Sequence, residues 1–191
     1  MANDLWRTPP EVFKSLNKEF VFLADTACTY ENKLCKIGFT EEYDSLAEPW
    51  LERLRRSDPY ISGNAYVWCN PPYSDPMPWV KKALEAQKDG LGVVMLLNQD
   101  TSVEWFKEAL KGVSEIRYIT GYLKENGKVA SGRLDFLDSN GEPAKGNNKA
   151  QFILVFNPFK IGARESTYIT KEELMKAGEW NGNFRAVAKN N

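Results

Sequence analysis

Asn70-Pro71-Pro72-Tyr73 is the stretch whose residue types could do chemistry. The Asn70 amide offers an oxygen acceptor and an NH2 donor, and the Pro71 carbonyl is an acceptor that no local N–H easily claims. Two acceptors side by side suit an amino group with two hydrogens. When both hydrogens of an exocyclic base amine are held in this way, the nitrogen lone pair is drawn out of conjugation with the ring. It can then be aimed at an electrophile without deprotonation. Tyr73 adds a flat face on which a base could stack, a contact worth about 1–3 kcal/mol in single-strand binding proteins. The plain alternative is structural, because Asn-Pro-Pro is a good loop sequence in any protein and a following Tyr can cap a core.

The flanking elements must hold the tetrapeptide in place. The apolar run Ala65 to Cys69 precedes it, and a helical stretch from Trp79 to Gln87 follows. Two successive prolines cannot donate to a ladder or a helix, so they end the strand and stiffen the bend. Asn70 and Tyr73 are thereby left at a strand's carboxyl end, where the loops of open α/β sheets splay apart and ligands bind. Phe20 to Ala24 predicts a buried strand ending in Asp25-Thr26-Ala27-Cys28, with a helix N-cap at Asp25 as the alternative use of that acid. Gly92 to Leu97 is the clearest buried strand, and its exit, Asn98 to Thr101, would emerge on the same sheet edge as Asp25 and Asn70 if the strands are parallel.

Helices are predicted between these strands. Thr8-Pro9-Pro10-Glu11 reads as a helix start, with Thr8 as N-cap, Pro9 at the first helical position and Glu11 closing a capping box. A short helical turn is expected at Asn32 to Lys36 and an acidic connection at Phe39 to Asp44. Further helices are expected at Pro49 to Leu54, from Pro78 to a close at Gly90, and at Ser102 to Leu110. Alternating helices and apolar strands over residues 9–111 predict an α/β domain. Beyond them, Glu115 to Ile119 and Gln151 to Phe156 predict a strand pair ending the sheet, with a weaker strand at Arg133 to Leu137 and a turn at Asp138 to Gly141. Thr170 to Glu173 repeats the capping-box pattern and starts a short last helix, before an Asn-rich end expected to fray.

A chain of 191 residues is long enough for one domain with a full core and short for two, so residues 1–191 are expected to form a single domain. With no histidine, a zinc site or a Ser-His-Asp triad is effectively excluded, and no metal is expected. The three cysteines, Cys28, Cys35 and Cys69, form no C-x-x-C pair and fit reduced thiols in a cytoplasm. No signal-like start and no apolar run near 18 residues is present, which predicts neither secretion by that route nor a membrane span. The net charge is −1 and uneven: residues 1–100 hold 11 basic against 15 acidic side chains, and residues 101–191 hold 14 against 11. The basic residues Lys124, Lys128, Arg133, Lys145 and Lys149 fall in a loop-rich section, about 120–150. There they could meet phosphates or help to read a base sequence, or be an ordinary solvated loop.

The tetrapeptide resembles the catalytic motif of amino-group methyltransferases that use S-adenosylmethionine. The chain as a whole is similar to the phage-type, Dam-like DNA N6-adenine methyltransferases. The likeness runs through Trp6-Arg7-Thr8-Pro9, Phe20 to Cys28, Asn32 to Cys35, Asp44 to Trp50, the catalytic stretch and Val93 to Phe106. It implies a single-domain, Rossmann-like methyltransferase fold, a mostly parallel sheet with an antiparallel C-terminal strand. It also implies methyl transfer from S-adenosylmethionine to N6 of adenine in double-stranded DNA, in a bacterial host's cytoplasm. By the resemblance, Asn70, Pro71, Pro72 and Tyr73 are catalytic, while Trp6, Thr8, Pro9, Asp25, Thr26 and Ala27 contact the cofactor. Asp44 is the candidate acid for the cofactor's adenine or ribose. Glycines expected after Asp25 are replaced by Thr29, Tyr30 and Glu31. Other amines (N4 of cytosine, an RNA base, a protein glutamine) and a non-catalytic DNA- or cofactor-binding module stand as alternatives.

Overall fold

The computed structural model describes residues 4–61, 63–161 and 164–178. In chain order the elements are α1 (Pro10–Phe20), β1 (Phe22–Cys28), β2 (Ile37–Thr40), a 3-10 turn (Glu41–Tyr43), α2 (Trp50–Ser57), β3 (Tyr66–Cys69), α3 (Met77–Lys88) and β4 (Gly92–Asn98). Then follow α4 (Glu104–Ala109), β5 (Glu115–Thr120), β6 (Tyr122–Leu123), β7 (Val129–Ala130), β8 (Gln151–Phe156), β9 (Glu165–Thr170) and α5 (Lys171–Ala177). Seven strands form one sheet in the order β2-β1-β3-β4-β8-β5-β9, and β6 and β7 pair as a separate hairpin. Every pairing within the large sheet is parallel except the two made by β8, with β4 on one side and β5 on the other. The architecture is a mixed α/β, Rossmann-like sheet.

The strands of the middle of the sheet are buried on both faces, which is why β4 and β8 read as continuous apolar runs. Successive side chains go to opposite layers. Val67, Val93, Met95, Leu97, Phe152 and Leu154 meet α2, α3 and α4 through residues such as Trp50, Leu54, Val80 and Phe106. Phe22, Trp68, Val94, Leu96, Ile153 and Val155 meet α1, α5 and an extended strap through Val12, Leu16, Leu174, Leu134 and Phe136. Because β1, β3 and β4 are parallel, their carboxyl ends share one edge.

Several local expectations are corrected. α1 begins at Pro10, with Pro9 as N-cap and no side-chain cap, so Thr8 caps nothing and the capping box with Glu11 does not form. A residue that precedes proline is disfavoured in the helical region, and Pro9, before Pro10, is accordingly extended at ψ 130. The first strand starts two residues later than the apolar run. Phe20 ends α1, Val21 turns the chain at φ 51, and β1 continues through Cys28, so Asp25 lies inside a strand and caps no helix.

Residues 32–36 form turns and bends with no helix, and Phe39 lies in β2, an edge strand that the sequence pattern does not predict. Arg133 to Leu137 joins no sheet. It is an extended strap held by isolated bridges from Leu137 to Arg7 and to Pro143, with its apolar Leu134 and Phe136 buried against the sheet. The Asp138 to Gly141 turn forms, with Gly141 at φ 78, but it sits within this strap and joins no sheet strands. β5 and β8 pair as expected, yet the sheet ends in the polar β9. The capping box of Thr170 and Glu173 is present at α5. The Asn-rich end lies outside the described residues.

Candidate active site

A cleft of about 470 Å³ opens where β1, β2 and β3 give way to their following loops. Its walls include Trp6, Thr8, Asp25, Ala27, Asp44, Asn70 and Pro72. The structure thus brings residues from four separate parts of the chain to one place. Pro9, Thr26, Pro71 and Tyr73 do not line it. Thr26 is wholly buried, and its hydroxyl donates to the Trp68 carbonyl at 2.9 Å, tying β1 to β3. Its own carbonyl accepts from the Ser45 hydroxyl, and the Ser45 carbonyl accepts from the Trp50 indole N–H at 2.8 Å. This chain of bonds fixes the loop after β2 and with it Asp44, whose backbone is left-handed at φ 37 and whose Oδ1 accepts from the Leu46 N–H at 3.1 Å.

Asp25 is buried, with 3% of its surface exposed, beneath the turn of residues 29–34. Its two oxygens accept from the backbone N–H groups of Leu34 at 3.1 Å and Ala27 at 3.3 Å. Burial pushes its carboxyl up to about 6, against the lowering effect of those two bonds. An acid in this state gains when a cation enters beside it. The backbone bonds through which the glycine-poor turn wraps Asp25 show how the chain holds the carboxylate without the expected glycines. Burial raises the thiols of Cys28 and Cys35 to about 12, with the Asp25 charge adding to it, and raises Cys69 as well, so none supplies a thiolate nucleophile near neutral pH.

The segment before α1 is clamped across the mouth of the site. Asp4 Oδ1 accepts from the Ser74 N–H at 3.0 Å, immediately after the tetrapeptide. Arg7 and Leu137 exchange backbone bonds of 2.8 and 3.0 Å, and the Trp6 ring stacks on Phe136 at 5.5 Å and 20°. Tyr73 meets the same Phe136 edge-on at 5.9 Å, so its ring is packed against the strap. Asp4 had no signal in the sequence, Arg7 only its place in the Trp6 to Pro9 likeness, and Phe136 and Leu137 only a weak strand pattern, because their part in the site arises from a long-range clamp.

Three buried side-chain polar atoms lack a hydrogen-bond partner among the described residues: Trp68 Nε1, Asn70 Oδ1 and Tyr73 OH. All three lie within six residues of one another. Leaving such a group unpaired costs about 1–3 kcal/mol, and two of the three, on Trp68 and Asn70, belong to residues that line the cleft, where a polar ligand can reach them. Trp68 carried no functional signal as an apolar strand residue, although its position two before Asn70 on an extended chain was the available clue.

The five predicted basic residues are all exposed. Lys124 and Lys128 lie at the turn of the β6–β7 hairpin, while Arg133, Lys145 and Lys149 lie on the strap and its continuation. Lys124 and Arg133 line a second, open groove of about 930 Å³, which the other three do not reach. The strap borders both openings, through Arg133 on one side and through Leu137 and Gly141 on the other. Among the described residues no cluster of three His, Cys, Asp or Glu is placed to hold a metal, and no helix is long and apolar enough to cross a membrane.

Comparison with known proteins places this geometry in context. A family model described as DNA N-6-adenine-methyltransferase (Dam) matches residues 1–180. A protein of Escherichia phage T1 named DNA N-6-adenine-methyltransferase is 35% identical over 173 residues, which covers 87% of this chain and 68% of its own length. Another protein of that name, from Haemophilus phage HP1, is 33% identical over 180 residues, covering 92% of this chain and 91% of its own. No solved structure matches the chain significantly.

Proposed function

We propose, from the premise that this chain belongs to the DNA N-6-adenine-methyltransferase (Dam) family, that it methylates N6 of adenine in double-stranded DNA with S-adenosylmethionine as donor. The observation that carries the reading is the orphaned Asn70 Oδ1, buried, on a residue that lines the cleft, with no donor to it among the described residues. The cleft also fits the donor: the aromatic side chains of Trp6, Phe39 and Trp79 line it, which suits a nucleobase, and the buried Asp25 carboxyl suits positive charge. When bound, S-adenosylmethionine supplies an electrophilic methyl group on a sulfonium.

The chain's own residues would do the rest. Asp25 would hold positive charge near β1, and Asp44 would accept from a ribose hydroxyl or an adenine amine. Trp6, Thr8 and Ala27 would line the cofactor half, with Pro9, the N-cap of α1, and Thr26, which ties β1 to β3, supporting it from outside the cleft. A duplex adenine has its amine inside the helix, so it must be flipped out, at a cost of a few kcal/mol of stacking. Asn70 Oδ1 and the Pro71 carbonyl would accept the two amine hydrogens and leave the lone pair facing the methyl group. Pro72 would stiffen the loop, and Tyr73 would stack on the base once its ring turns from Phe136. Holding nitrogen, methyl and sulfur in line supplies most of the acceleration, since a positioned reaction avoids the entropy of encounter. Lys124, Lys128, Arg133, Lys145 and Lys149 would contact DNA, and the enzyme would work in the bacterial cytoplasm.

The test is Asn70→Ala. Methyl transfer should fall below detection while S-adenosylmethionine binding stays within a few-fold of wild type. Loss of cofactor binding in a folded variant would show that the loop serves the cofactor instead.

A further inference from the structure

We infer that Trp68 is a base-reading residue of this site: its indole N–H donates to the ring nitrogen at position 1 of the flipped adenine, beside the amine held by Asn70. The inference rests on the methylation reading above. Trp68 is fully buried in β3, lines the cleft, and carries an Nε1–H with no acceptor among the described residues. Its ring is braced from behind by Phe22 at 5.6 Å and Phe13 at 6.0 Å, so the donor is held in place. Asn70 lies two residues on, the spacing that puts side chains on one face of an extended chain, and its Oδ1 is likewise buried and unpaired among the described residues.

A fixed donor beside an amide oxygen acceptor is the complement of an amino–imine edge, in which the carbon bearing the amino group is doubly bonded to a ring nitrogen. Adenine presents that edge through its exocyclic amine and the ring nitrogen at position 1. On flipping, that ring nitrogen loses the N–H of its thymine partner, and the Trp68 indole would replace it. Guanine and thymine present the reverse, a carbonyl beside a ring N–H. The Asn70 amide can turn over to donate to such a carbonyl, but an indole N–H can never accept. Guanine or thymine in this pocket would therefore set two N–H groups against each other. Cytosine shares adenine's pattern through its own exocyclic amine and neighbouring ring nitrogen, so Trp68 separates amino bases from oxo bases and leaves ring size to the pocket walls.

The experiment uses the full chain with S-adenosylmethionine and a short duplex containing a site mapped from DNA that the enzyme has methylated. The target adenine is kept, or replaced by 1-deazaadenine or 7-deazaadenine, and kcat/KM is measured for wild type and Trp68→Phe. Wild type should lose about 10–100-fold on 1-deazaadenine, the range for leaving a buried donor unpaired, and little on 7-deazaadenine. Trp68→Phe should lose a similar factor on adenine, show less than about threefold further loss on 1-deazaadenine, and bind S-adenosylmethionine normally. A 1-deaza penalty that persists in Trp68→Phe, or a wild-type penalty confined to 7-deazaadenine, would overturn the assignment. If Trp68→Phe does not fold, the wild-type comparison decides alone, and equal rates on adenine and 1-deazaadenine would refute it. A wild-type enzyme that binds cofactor yet methylates no adenine would instead refute the functional reading, and this inference with it.

Discussion

Asp25 offers a quantitative link between burial, stability and the binding of a cation. Its carboxyl is raised from the ordinary 3.8 to about 6 by burial, so between these values the folded chain binds the proton that the unfolded chain has lost. Stability from the protonated acid is therefore fully present below pH 3.8 and is lost as pH rises through 6. A rise of that size corresponds to about 3 kcal/mol, and with 3% exposure solvent screening does little to reduce it. Asp25→Asn cannot titrate, so its stability relative to wild type should rise by about this amount between roughly pH 4 and pH 7 in denaturant titrations.

A cationic ligand reverses the sign, because it binds the ionised acid better. If S-adenosylmethionine meets Asp25, its Kd should weaken about 10-fold from pH 7 to pH 5 and flatten above pH 7, with protons released on binding at pH 5 to 6. Calorimetric titration in two buffers of different ionisation enthalpy measures both quantities. A pH-independent Kd in wild type, or an Asp25→Asn variant that binds as tightly as wild type, would refute the role of Asp25 as partner to the positive charge.

Three further outcomes follow from local geometry. Val21 is a β-branched residue at φ 51 that is largely exposed, so Val21→Gly should stabilise the fold by about 1 kcal/mol, read from the denaturation midpoint. Gly178 closes α5 against α1, where an added Cβ would lie 1.8 Å from the Glu11 carbonyl oxygen; Gly178→Ala should cost about 1–3 kcal/mol in the same assay. Lys124→Ala with Lys128→Ala, on the exposed hairpin, should weaken DNA binding and reduce the salt slope by about one for each phosphate no longer neutralised, with cofactor affinity unchanged; an unaltered slope would remove the hairpin from the interface.

The legible parts of the fold were those whose burial is dictated on both faces. β4 and β8 are unbroken apolar runs, and the prolines after β3 placed the Asn70 to Tyr73 loop at a strand end. β2 carries a glycine among four residues, and β9, Glu165 to Thr170, is polar because it is an edge; neither had an apolar pattern to show. The strap at 133–137 has the alternation of a strand but spends it on covering the sheet, with Leu134 and Phe136 inward. Of the cleft lining, Asp25 and Asn70 were legible as polar residues at predicted strand ends, and Asp44 as an acid in a predicted acidic connection. Trp68 and the Asp4 to Ser74 clamp were not, since a donor without a partner and a bond across 70 residues exist only in three dimensions.

The most direct test of the central claim is product analysis. Purified protein is incubated with unmethylated DNA and methyl-labelled S-adenosylmethionine, and the DNA is digested to nucleosides for mass analysis. The account predicts label in N6-methyladenine, with Asn70→Ala giving none. Label in N4-methylcytosine, or unlabelled DNA from protein that demonstrably binds the cofactor, would contradict it.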